Sequence, residues 1–127
     1  MAKDVRTWER VRAFALGLPG AVQEFPWGPE DRVVKVNKKI FVFLGDVAGE
    51  RPLSVTVKLK DEDVHGHAMT MPGAEPAGYG LGRSGWVSVP LAPAGAPSAA
   101  VLCEWVEESY RTVAPKSLVK EWDAGRG

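Results

Sequence analysis

The sequence predicts an α+β domain in which an antiparallel sheet carries N- and C-terminal helices packed on it. Three observations predict it. Apolar residues recur at helical spacing at both ends of the chain, β-branched and aromatic runs alternate with polar residues between them, and 127 residues suffice for one core. Residues 1–127 therefore read as a single domain without internal repeats.

Val5, Trp8, Val11 or Phe14, Ala15 and Leu18 recur at three- and four-residue spacing, which predicts a first helix over Asp4 to Gly17. Asp4 or Thr7 is the candidate cap, and Leu18-Pro19-Gly20 ends the helix. After a loop containing Phe25-Pro26-Trp27-Gly28, Arg32 to Leu44 reads as a hairpin broken at Asn37-Lys38-Lys39. Either Asn37-Lys38 or Lys38-Lys39 makes the turn. Strict alternation places Val34, Val36, Phe41 and Phe43 on the core face.

Leu53, Val55, Val57 and Leu59 alternate with Ser54, Thr56, Lys58 and Lys60, the pattern of a strand with one buried face. Asp61-Glu62-Asp63 puts negative charge where a helix dipole is positive, so a short helix is expected over Asp61 to Met69. Residues 72–85 hold five glycines and two prolines and read as a loop. Trp86 to Leu91 follows as a short strand, Ser98 to Val113 as the closing helix, and Pro115 stops it before a tail with room for another helical turn.

Composition excludes several classes of function. Sixteen Lys and Arg balance sixteen Asp and Glu, so no global positive field draws in a polyanion. The apolar run Ile40 to Leu44 is far short of the ~20 residues that span a bilayer. With no leader-like apolar segment at the start and a single cysteine, the expected location is cytoplasmic.

No catalytic or metal-binding constellation emerges, and no cofactor is expected. His65-Gly66-His67 has no cysteine nearby, and its two imidazoles would diverge on a helix. Cys103 lies beside the apolar stripe of the last helix with no histidine near it in sequence, so it reads as a packed apolar residue. Ser84 lacks the Gly-x-Ser-x-Gly context of a nucleophile turn, and Gly78-Tyr79-Gly80-Leu81-Gly82 lacks the flanking strand, helix and lysine of a phosphate loop.

Two sets of residues stand out for binding. Arg32, Lys35, Lys38 and Lys39 give the hairpin four positive charges and no negative one, joined by Lys58, Lys60 and Arg83. A basic hairpin suits phosphate contacts, because the sheet fixes the position of its lysines. The structural alternative is an edge hairpin whose lysines resist aggregation. Of five tryptophans, Trp8, Trp86 and Trp105 fall on core faces, and Trp27 lies in a loop. Trp27, Tyr79 and Trp86 thus form a second candidate, a pocket for a flat aromatic small molecule.

The order of motifs resembles the MmcQ/YjbR family of small bacterial proteins. It is carried by 15–20 (Ala-Leu-Gly-Leu-Pro-Gly), 24–28 (Glu-Phe-Pro-Trp-Gly) and 35–41 (Lys-Val-Asn-Lys-Lys-Ile-Phe). Val57-Lys58-Leu59, Gly85-Trp86-Val87-Ser88-Val89 and Glu108-Ser109-Tyr110 follow in order. The resemblance implies a fold akin to the secretion-chaperone-like class and to frataxin-like CyaY, with a double-wing mode of DNA binding and no catalytic residues. The expectation is weak, non-specific contact with the phosphate backbone of duplex DNA, with a small-molecule binder or a protein-interaction module as alternatives.

Overall fold

The computed structural model describes residues 3–26, 32–45, 53–78 and 81–125. In chain order the elements are α1 (Lys3–Leu16), β1 (Ala21–Glu24), β2 (Val33–Val36), β3 (Lys39–Phe43), β4 (Ser54–Lys58), α2 (Glu62–Met69), β5 (Glu75–Pro76), β6 (Trp86–Pro90), α3 (Ala99–Val113) and α4 (Lys116–Gly125). The strands form one antiparallel sheet in the order β1-β2-β3-β4-β6-β5. The α+β reading holds, with helices from both ends of the chain packed on the sheet.

One face of the sheet makes the core. Val34, Val36, Val42, Val55, Val57, Val87 and Val89 are fully buried and share a cluster with Trp8, Val11 and Ala15 of α1 and Leu102, Trp105, Val106 and Tyr110 of α3. Each such aliphatic side chain contributes about 1.5–3 kcal/mol relative to staying in water. Helix starts follow local chemistry. The Asp61 carboxylate accepts from the amides of Asp63 and Val64 at 3.0 Å, and the Ser98 hydroxyl accepts from that of Val101 at 3.3 Å. By contrast α1 begins at Lys3, ahead of both Asp4 and Thr7, which leaves Asp4 in the first turn.

Strict alternation in the hairpin fails at one point. Val34 pairs with Val42 while Lys35 pairs with Ile40, so Phe41 is an extra residue in β3. This bulge keeps Phe41 and Val42 both inward and turns Phe43 to the opposite face, where its ring meets Trp86 edge-on at 5.3 Å. Trp86 is buried, at 7% exposure, yet it lies outside the helix-covered core. Val33 and Thr56 are buried on that same second face.

The bulge also ends the β3–β4 ladder at Val42 and Val57. Ser109 of α3 fills the gap: its hydroxyl accepts from the Lys58 amide at 2.9 Å and donates to the Phe41 carbonyl at 2.5 Å. One buried side chain thus satisfies two backbone groups that the irregular strand leaves unpaired. Next to it, the Tyr110 hydroxyl donates to the Pro19 carbonyl at 2.7 Å, and its ring packs edge-on to Phe41 at 5.3 Å. At the other end of the sheet the Trp8 indole N–H donates to the Leu44 carbonyl. These bonds fix α1 and α3 to the sheet.

Candidate nucleic-acid interface

The hairpin turn is Asn37-Lys38, with Val36 paired to Lys39 across it. Both residues have positive φ, 50° and 68°, the two-residue hairpin turn whose twist matches the flanking strands. Asparagine tolerates this conformation through local hydrogen bonding, whereas for lysine it costs about 1–2 kcal/mol. The fold thus holds a lysine at the tip where glycine would be easier. Lys38 and Lys39 are both exposed.

Strand register gathers further cations beside this tip. Because β3 and β4 run antiparallel from the Val42–Val57 pair, the end of β4 and the following Lys60 lie alongside the start of β3. Lys58 pairs in turn with Trp86 at the start of β6, and the short 3-10 turn Leu81–Ser84 carries Arg83 into that strand. Gly85 makes the junction possible: its φ is +92°, and a Cβ there would lie 2.8 Å from the Leu59 carbonyl oxygen. Lys38, Lys39, Lys58, Lys60 and Arg83 therefore collect at one end of the sheet. None of the five forms an ion pair among the described residues.

The other two cations lie apart. Lys35 pairs with Glu24 at 3.1 Å on the face away from the helices. Arg32 sits at the far end of the hairpin, about 16 Å from the tip at strand rise. Its guanidinium lies 5.4 Å from the Trp8 ring and 5.5 Å from that of Phe25, and its Nε is buried without a hydrogen-bond partner. The interior position of β2 and β3, flanked by β1 and β4, also removes the reason for edge-protecting lysines in this hairpin.

Of the aromatic candidates, Trp27 and Tyr79 lie outside the described residues, and Trp86 is buried against Phe43. On α2, His67 meets Trp105 edge-on at 5.6 Å, while His65 faces a cavity on the Lys60 and Arg83 side. Among the described residues no group of three or more His, Cys, Asp or Glu is placed to hold a metal ion. Burial pushes the Cys103 thiol up, against a smaller opposite pull from Arg10, so the protonated form is favoured. No helix among the described residues is long and apolar enough to cross a membrane.

The sequence signals that located the cations are the alternating pattern of Leu53–Leu59 and the Asn-Lys-Lys break. Glu24 as the partner of Lys35 left no such signal, since β1 lies in a stretch read as loop. The motif pieces 35–41 and Gly85–Val89 contribute to the cationic end, and Glu108-Ser109-Tyr110 anchors the sheet behind it. The YjbR family model matches residues 16–112, three-quarters of the chain. The chain belongs to the YjbR family.

The YjbR chain is also similar to a solved structure, the crystal structure of Deinococcus radiodurans protein DR2400, described by its DUF419 domain. The two share 28% identity with a TM-score of 0.68, over 87% of this chain and 83% of that one. No curated protein matches the chain. The family match begins at the last residue of α1 and stops within α3, so it spans the whole sheet, including the cationic end.

Proposed function

We propose that this YjbR chain is a non-enzymatic DNA-binding protein that contacts the phosphate backbone of duplex DNA through the cationic end of its sheet. The observation that carries this reading is the convergence of Lys38, Lys39, Lys58, Lys60 and Arg83, without ion pairs among the described residues, around a turn of fixed geometry. Lysines on a rigid turn meet phosphates as point charges and carry no information about bases. A thiol at Cys103 that burial keeps protonated and diverging histidines on α2 support the non-enzymatic part.

With a formal net charge of zero there is no long-range attraction, so affinity comes from local contacts and is weak. Fluorescence anisotropy with labelled duplexes of unrelated sequence provides the test. Dissociation constants of about 10⁻⁴–10⁻⁶ M at physiological salt, similar for every sequence, are expected. Absence of any duplex binding at low ionic strength would overturn the reading.

A further inference from the structure

Beside the hairpin tip the cationic end is indented. Between the end of β4, α2 and the Leu81–Ser84 turn lies a cavity of about 480 Å³, lined by Leu59, Lys60, Glu62, His65, Arg83 and Ser84 together with Gly82 and Gly85. That volume is within the range of small-ligand sites. The walls are fixed before any ligand arrives. The Leu59 amide donates to the Gly85 carbonyl at 2.8 Å, the Gly85 amide to the Gly82 carbonyl at 3.1 Å, and the Gly82 amide to the Ala77 carbonyl at 3.2 Å. On the opposite wall, the Asp61 cap holds the first turn of α2.

We propose that this cavity binds the terminal phosphate monoester of a nucleotide. Arg83 offers a planar fork of donors matched to two phosphate oxygens, Lys60 a second positive charge, and Ser84 and His65 further donors. Glu62 is the one carboxylate on the lining. It opposes a bare phosphate ion and can accept from a base amino group or a free sugar hydroxyl, so the set favours a phosphate joined to a nucleoside. A terminal monoester, on a free nucleotide or at the end of a strand, brings three free oxygens and nearly two charges to these donors, whereas an internal phosphodiester brings two oxygens and one charge. This inference rests on reading the same end of the sheet as a phosphate-binding surface, but concerns terminal rather than internal phosphates.

The experiment follows backbone amide NMR shifts of the whole chain on titration with deoxyadenosine 5′-monophosphate, deoxyadenosine and inorganic phosphate. In parallel, anisotropy compares 5′-phosphorylated with 5′-hydroxyl duplexes. The nucleotide should saturably shift Lys60, His65, Arg83 and Ser84, the nucleoside should not, and inorganic phosphate should bind at least about tenfold more weakly. Arg83→Ala should weaken nucleotide binding about tenfold and Ser84→Ala by less, since a charge-assisted pair is worth more than a neutral one. Both side chains are exposed, and unchanged thermal unfolding checks that each variant folds. Preference for the 5′-phosphorylated duplex over free nucleotide identifies a strand end as the source; equal or tighter binding of the free nucleotide identifies the small molecule. Absent shifts, shifts insensitive to Arg83→Ala, or equal binding of inorganic phosphate would overturn the proposal. If the 5′-hydroxyl duplex still binds in that case, the DNA reading survives alone. Nucleotide binding without any duplex affinity is the reverse outcome.

Discussion

At the cationic end of the β3–β4 pair, the side under α3 and the exposed rim treat polar groups in opposite ways. Under α3, the irregular backbone at Phe41 and Lys58 is closed by the Ser109 hydroxyl, and Tyr110 is bonded to Pro19. A few residues away, Lys38, Lys39, Lys60 and Arg83 are exposed and have no ion pair among the described residues, and Lys38 occupies a costly left-handed conformation. Buried groups that find partners are what a stable fold requires. Exposed charges concentrated without partners, on a turn they do not stabilise, are what a binding surface requires. The comparison separates residues of one family motif set into anchors and contacts, and each side can be broken on its own.

The largest effect belongs to the anchors. Trp86→Ala removes a buried indole that packs on Phe43 and should cost about 3–5 kcal/mol. An unchanged urea midpoint would mean that the second face of the sheet contributes nothing to stability. Ser109→Ala comes next, because it strips partners from the Phe41 carbonyl and the Lys58 amide at about 1–3 kcal/mol for each group left buried and unsatisfied. Hydrogen exchange at Lys58 should accelerate in that variant; retained protection would contradict the bridging role.

Tyr110→Phe is milder, about 0.5–1.5 kcal/mol for one hydrogen bond, and carries a pH signature. Burial, with Glu121 adding to it, raises the Tyr110 phenol above its ordinary value of 10.0. The folded state therefore favours the neutral phenol. Its stabilising contribution is complete below pH ~10, where unfolded tyrosine is also neutral, and is lost as pH rises from there through the folded value. The stability gap between the native protein and Tyr110→Phe should then be full at pH 8 and smaller at pH 11. A gap that widens with pH would reverse the assignment.

Much of this division was legible in the residues. Spacing located α1, α3 and the β2–β3 hairpin, and clean alternation located β4 and the buried side chains Leu53 to Leu59. What stayed hidden was non-local. β1 escaped because it is a four-residue edge strand with Val22 54% exposed and the polar Gln23 turned to Arg12 at 2.6 Å, so no apolar face marks it. β5 is two residues ending in proline, and the tail, read as having room for one more helical turn, is the full helix α4, whose Trp122 packs on Phe14 from the other end of the chain. The bulge at Phe41 depends on a serine 68 residues away and moved Phe43 off the face that alternation gave it. For the site, the sequence named the cations, but only strand register divides them into five that converge and two that do not.

The central claim is that the hairpin tip supplies phosphate contacts and nothing to stability, and the salt dependence of duplex binding tests it most directly. With about four phosphate contacts at roughly −0.9 each, the log–log slope of affinity against salt should be about −3 to −4 for the native protein. Lys38→Ala with Lys39→Ala should make it shallower by about two units and weaken all sequences alike, while thermal unfolding is unchanged or slightly raised. A slope unaffected by the double substitution would place any DNA contact elsewhere on the molecule and contradict the account.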